Sequence, residues 1–284
     1  MNRALPPERA GHAAPPEIAA RRSVMEQALV SGNWVTDPPA RTEEASRVPV
    51  LRWCTSEAPK ARIIHFHGGG YRMGCPEMEG PYALALARTC TVEVVAPRYR
   101  LAPERPFPAA LVDAWAVLQN TPNDLPIILS GGSAGGGIAA GLALLARDAC
   151  RAISGVILHS PWLDLTVSAA SYDANAATDP LFSREAAALA SQLYLQGHDP
   201  HDLIASPLLA RLGGLPPMLI SVGTGEVLYD DATKFARSLD AAKVPVRLLA
   251  IDGMDHVAVT RAMSATGAPE VFAATTAFIA EVLA

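Results

Sequence analysis

A serine hydroxyl becomes a strong nucleophile only when a base takes its proton and a third group holds that base in place. Residues 125–137 read LPIILSGGSAGGG, with Ser133 flanked at two positions on either side by Gly131 and Gly135. The spacing predicts an apolar strand, Ile127–Leu129, running into the serine. A helix then follows, signalled by Ile138, Leu142 and Leu145. A serine on so sharp a turn has a strained backbone and a hydroxyl clear of the sheet. The first amides of the helix are then free to hold an oxyanion. Strand and helix converge at the residues two before and two after, which must therefore be small. A phosphate loop would need Lys where Ile138 stands. The dinucleotide fingerprint is only poorly imitated by Gly131-Gly132. On its own the stretch also describes a plain glycine turn, so the nucleophile reading needs partners.

The base is sought among histidines at the carboxyl ends of strands. His256 lies in IDGMDHV, five residues past Ile251 and ahead of the final helix. His67 and His159 also end strands, but three glycines follow the first. Ser160-Pro161-Trp162-Leu163-Asp164 follows the second as a structural corner, and His12, His198 and His201 fall in polar segments. The acid belongs at the end of the preceding strand, where GTGEVLYDDA offers Glu226, Asp230 and Asp231. Glu226 is nearest the strand end, in a Gly-bounded turn. Asp230 and Asp231 read as helix surface charge, and Asp255 as pointing away from its neighbour His256. Ser133, Glu226 and His256 follow the nucleophile–acid–base order of one large hydrolase class. His67-Gly68-Gly69-Gly70 abuts an apolar strand and allows bare amides to approach the nucleophile. The amides of Gly69, Gly70 and Ala134 are the expected oxyanion hole.

The elements that must hold these residues alternate along the chain. Strands are expected at 48–53, 61–67, 92–96, 127–129, 153–159, 218–222 and 246–251. Helices are expected at 81–89, 108–119, after Ser133, 228–241 and 270–283. This alternation implies an α/β fold with a mostly parallel sheet and helices on both faces. In such sheets ligands sit at the carboxyl ends of the strands. An amphipathic helix at 17–30, through Ile18, Met25 and Leu29, precedes the first strand. Residues 166–208 break the alternation with one helix, 183–195, between Asp- and Pro-rich loops. Residues 1–45 are therefore read as an N-terminal cap segment and 46–284 as the catalytic domain, with 166–208 adding to the cover.

The chain has 284 residues, half of them apolar, and a net charge of −5, enough for one large domain with a full core. That mild acidity argues against nucleic acid or an anionic membrane as a partner. Cys54, Cys75, Cys90 and Cys150 are far apart and form no metal-ligand spacing, so they read as reduced, mostly buried thiols, with no metal and no cofactor expected. Met1–Gly32 lacks an apolar run of the secretory kind, and no stretch approaches 18 unbroken apolar residues. A soluble, cytoplasmic protein is the expectation.

Four motifs together resemble the hormone-sensitive-lipase group of α/β-hydrolase esterases, bacterial family IV. They are HGGG at 67–70, YRLAPE at 99–104, GGSAGG at 131–136 and GMDH at 253–256. Ser160-Pro161-Trp162-Leu163-Asp164 and Ser206-Pro207-Leu208 match as well, and the resemblance runs over about residues 50–284. It implies an α/β-hydrolase fold with a small helical cap and hydrolysis of small or short-chain carboxylic esters through an acyl-enzyme, without a metal. Ser133 would attack, His256 would accept the proton, and Glu226 would hold the imidazole. YRLAPE would be a structural turn near the site. Tyr71, Met73, Trp34 and Leu163 are the expected pocket lining, and a homodimer through the last strand and helix fits by analogy. Two features depart from the group: Gly132 stands where most members carry Asp, and Glu226 where the acid is more often Asp. Lactone opening or acyl transfer would use the same triad, and product analysis separates them. A non-catalytic receptor on this fold would be expected to have lost the nucleophile or the base, yet both are present.

Overall fold

The computed structural model describes residues 5–284. Eight strands form one sheet: β1 (Arg41–Ala45), β2 (Val48–Trp53), β3 (Arg62–Phe66), β4 (Glu93–Pro97), β5 (Ile127–Gly132), β6 (Gly155–His159), β7 (Met218–Gly223) and β8 (Val246–Ile251). Their order in space is β1-β2-β4-β3-β5-β6-β7-β8. The pairs β1–β2 and β2–β4 are antiparallel, and every pair from β4 to β8 is parallel.

Strand residues point alternately to the two faces, and the central strands are apolar on both. Ile64, Leu129, Leu158 and Ile220 face one core, packed beneath α3 (Ala109–Asn120), α4 (Ala134–Asp148) and α7 (Tyr229–Ala241). Their neighbours Ile63, Ile128, Ile157 and Leu219 face the other, beneath α2 (Gly80–Cys90) and α9 (Ala268–Val282). Parallel strands run in the same direction, which brings their carboxyl ends, and the loops carrying Ser133, Glu226 and His256, to one edge.

The expected alternation matches this architecture, with three differences. The strand β1 was not expected, because four of its five residues (RTEEA) are exposed and carry no apolar rhythm. It pairs with β2 through a tight turn, so the boundary placed at residue 45 falls inside a hairpin of the sheet. The segment preceding the sheet ends before Arg41. The strand β5 continues through Ser130, Gly131 and Gly132, which keep pairing with β3 or β6 up to the nucleophile turn. Two one-turn helices, α5 (Ser171–Ala174) and α8 (Ala258–Arg261), are too short to show periodicity. Ahead of the sheet lies α1 (Pro16–Val30), and α6 (Arg184–Leu195) lies within the insertion after β6. Among the described residues, no helix is long and apolar enough to cross a membrane.

Candidate active site

Ser133 sits between β5 and α4 with φ 53° and ψ −121°, a backbone conformation that L-residues seldom adopt. The surrounding packing enforces it. A Cβ on Gly131 would overlap the Gly135 carbonyl, and one on Gly135 would overlap the Phe66 carbonyl at the end of β3. The Ser133 amide donates to the His159 carbonyl at 2.9 Å, and its own carbonyl accepts from Trp162 at 3.0 Å. The turn is thereby fastened to β6 and to the corner that follows it.

His256 lies in the loop between β8 and α8, with its Nδ1 at 2.7 Å from Oε2 of Glu226. Glu226 follows β7 and is 2 % exposed. Its second oxygen, Oε1, accepts from the Gly223 amide at 2.5 Å and from the Ser160 hydroxyl at 2.8 Å. With three of its lone-pair directions occupied, the carboxylate has little freedom to rotate. Ser160 Oγ also accepts from the Val257 amide at 3.0 Å, so one hydroxyl ties the acid's loop to the base's loop. The two other acids after β7 face elsewhere. Asp230 pairs with Lys234, and Asp231 accepts the amides of Leu163 and Asp164. Asp231 is fully buried and its carboxyl is pushed up to about 7, first by burial and further by the charge of Asp164. Asp255 is exposed.

The glycine loop runs past the serine. Gly69 and Gly70 have φ of 118° and 60°, and a Cβ at Gly69 would overlap the Met73 carbonyl. The Gly68 amide is already committed, donating to Glu79 Oε1 at 3.1 Å. That carboxylate also receives His65 Nε2 at 2.5 Å, forming a buried pair behind the loop. Ala134 is the first residue of α4, where an amide has no carbonyl one turn behind it in the helix. His67 turns inward: its Nδ1 donates to the Gly68 carbonyl at 2.7 Å, and its ring stacks on Tyr99 at 4.3 Å. Burial lowers its pKa to about 4, which leaves it neutral at physiological pH. The segment Tyr99–Glu104 braces this loop. Tyr99 donates to the His67 carbonyl, the Ala102 amide to the Tyr71 carbonyl, and Glu104 pairs with Arg22 of α1.

Ser133, His256 and Gly68–Gly70 share the walls of one cleft of about 260 Å³. Its apolar lining comes from Met25 of α1, from Met73 and Met78 after the glycine loop, and from Leu181, Phe182 and Val257. Of the four residues expected to line a pocket, Met73 is in this wall. Tyr71 and Leu163 are instead buried in the core, at 2 % and 0 % exposure. Tyr71 stacks on Tyr194 at 3.9 Å, so its ring is filled against α6 rather than turned to the site. Trp34 is placed beside Gly80 at the start of α2, outside these walls.

Other residues at the site had no sequence signal. Asn175 donates to the carbonyls of Thr224 and Glu226, and Asp179 accepts the amides of Val227, Leu181 and Phe182. Phe182 lies nearly parallel to the His256 ring, with centroids 6.0 Å apart. The insertion after β6 thus holds the acid's loop and covers the imidazole. Ser160, read as part of a corner, is the one of these residues a sequence could have offered, because it ends the strand beside the nucleophile.

Residues 63–260 match the family of the α/β hydrolase fold. An acetyl-hydrolase of Streptomyces hygroscopicus is 36 % identical over 200 residues, covering 69 % of this chain and 67 % of that protein. The carboxylesterase NlhH of Mycobacterium tuberculosis is 32 % identical over 274 residues, covering 90 % of this chain and 82 % of that protein. Among solved structures, an esterase from the bacterial hormone-sensitive lipase family superposes with a TM-score of 0.87 at 29 % identity, covering 96 % of this chain and 94 % of that one.

Proposed function

The chain belongs to the hormone-sensitive-lipase group of α/β-hydrolase-fold carboxylic ester hydrolases, and on that premise we propose that it hydrolyses short-chain esters with Ser133 as nucleophile, His256 as base and Glu226 as orienting acid. The observation that carries this reading is the 2.7 Å contact of His256 Nδ1 with buried Glu226, in the cleft that also exposes the strained Ser133.

Glu226 selects the imidazole tautomer with the proton on Nδ1, leaving Nε2 to take a proton. Ser133 Oγ attacks the ester carbonyl carbon while its proton passes to Nε2. The carbonyl oxygen becomes an oxyanion held by the amides of Gly69, Gly70 and Ala134, each worth about 3 kcal/mol of transition-state stabilisation. Collapse of the tetrahedral species expels the alcohol, which takes the proton from His256 and leaves an acyl-serine. Water then gives a proton to Nε2 as it attacks the acyl carbon. Collapse of the second tetrahedral species breaks the bond to Ser133 Oγ, which takes that proton back as the acid leaves.

The small volume of the cleft supports short acyl chains, since pockets that take drug-sized ligands run from about 300 Å³ upward. Residues 16–30 and 166–208 serve as the cap, a role supported by Met25, Leu181 and Phe182 in the cleft wall. A cytoplasmic setting fits the four free cysteines. Burial raises the Cys75 and Cys90 thiols to about 11, but of the four expected to be mostly buried only Cys75 is; Cys54 and Cys90 are half-buried and Cys150 is exposed. The open edge of β8, with Leu248 37 % exposed, suits a homodimer, which sedimentation would detect.

The test is turnover of p-nitrophenyl esters from acetate to decanoate. Rates should peak at short chains, Ser133→Ala should abolish them, and Glu226→Ala should cost far more than Asp230→Ala. Equal losses for the two acids would reassign the orienting role.

A further inference from the structure

The rim of the cleft is more basic than an ester with neutral ends requires. Arg21 of α1, Arg72 after the glycine loop and Arg261 of α8 all contribute to its walls. Among the described residues none of the three has an ion-pair partner; Arg261 donates only to the His256 carbonyl. Arg72 is the unusual one. It is 6 % exposed, and Nε and Nη1 have no hydrogen-bond partner, while Nη2 makes one long bond of 3.3 Å to the Ala186 carbonyl. A guanidinium keeps its charge under all physiological conditions, and a buried one without a counter-charge is costly. Burial and the neighbouring charge of Arg21 both disfavour its protonated form. The single carboxylate in the same walls, Glu79, is already engaged by His65 and the Gly68 amide. Arg72 is also fixed in place: its carbonyl accepts from Arg22, which is itself paired with Glu104. A Cβ on Gly70 would stand 3.5 Å from Arg72 Nε, so the charge lies alongside the glycine loop.

We propose that the preferred substrates are esters carrying a carboxylate, such as half-esters of dicarboxylic acids, whose anionic end is received by Arg72 with Arg21 and Arg261 at the mouth of the cleft. This rests on the esterase reading above and adds the class of substrate. Neutralising the basic rim lowers the cost of the unpaired guanidinium, and that gain is available only to anionic ligands. Cationic esters of the same length meet like charge and bind poorly.

The experiment compares kcat/KM for monomethyl adipate, methyl hexanoate and methyl 6-aminohexanoate, which share a chain length and differ in terminal charge. The anionic ester should exceed the cationic one by roughly 100-fold, mostly through KM, and added salt should narrow the gap. Arg72→Met should reduce that ratio to roughly 10-fold or less while methyl hexanoate is still hydrolysed. If the wild type does not prefer the anion, or Arg72→Met keeps the full preference, the proposal is wrong. Should Arg72→Met fail to fold, Arg21→Glu on the exposed face of α1 decides by the same ratio. Calorimetric binding of the esters to Ser133→Ala reads the charge preference without turnover. An inactive enzyme that still selects the anion would overturn the esterase reading alone.

Discussion

Removing the Ser160 hydroxyl should damage catalysis although Ser160 touches no reacting atom. The hydroxyl donates to Oε1 of Glu226 at 2.8 Å and accepts from the Val257 amide at 3.0 Å. Ser160→Ala leaves Oε1 held by the Gly223 amide alone and frees the carboxylate to turn away from His256. A hydrogen bond to a charged group contributes about 2 kcal/mol, equivalent to about a 30-fold loss in kcat/KM if all of it is expressed in the transition state. The same change orphans the Val257 amide, buried beside the imidazole at φ 47°, which costs about 1–3 kcal/mol of folding stability. Two measurements separate these effects: steady-state hydrolysis of p-nitrophenyl butyrate and urea unfolding. The expected result is a fall in kcat of about 10- to 30-fold with little change in KM, alongside a lowered urea midpoint. A variant that loses stability but keeps kcat within about twofold would show that Ser160 holds the loops together without positioning the acid, and the reasoning would fail.

Asp231 gives stability a pH dependence of its own. Its folded pKa, about 7, lies above the unfolded carboxylate value, so the native state holds the proton more tightly. This stabilising contribution is complete below about pH 4 and is lost as pH rises toward 7, by an amount on the order of 4 kcal/mol at most. Asp231→Asn should flatten the decline in melting temperature between pH 5 and pH 8, and an unchanged slope would exclude Asp231 as its source. Gly132→Asp should fold, because Gly132 is not among the positive-φ positions and its added Cβ meets side chains rather than backbone, Val257 at 3.1 Å and the Thr260 hydroxyl at 3.7 Å. A destabilisation of about 1 kcal/mol, or a few degrees in Tm, is expected, with a changed pH or substrate profile because Val257 adjoins His256. Failure of that variant to fold would show that the turn requires glycine at this position.

Much of this architecture was legible because sterics leave few choices. Only glycine fits at 131 and 135, where strand, turn and helix backbones nearly touch, so the motif announces the elbow. The strands β3 to β7 are buried on both faces and read as continuous apolar runs. The edge strand β1 escaped because an exposed edge needs no apolar side chains and gains its order from pairing with β2. Glu226 could be ranked by its place after β7, yet Ser160, which fixes its carboxylate, and Asn175, which holds its backbone carbonyl, come from 66 and 51 residues away. Such contacts between small polar groups leave no periodicity. Tyr71 and Leu163 border the site in sequence and face the core in space, because side-chain direction at a turn depends on backbone angles that spacing does not report. Nothing in the sequence marks Arg72, and only its burial without a partner sets it apart.

The most direct test of the central claim is a crystal structure of the protein inactivated by a phosphonate ester. The account predicts phosphorus bonded to Ser133 Oγ, the phosphoryl oxygen within hydrogen-bond distance of the Gly69, Gly70 and Ala134 amides, and His256 still held by Glu226. An adduct on another residue, or a phosphoryl oxygen turned away from those three amides, would contradict it.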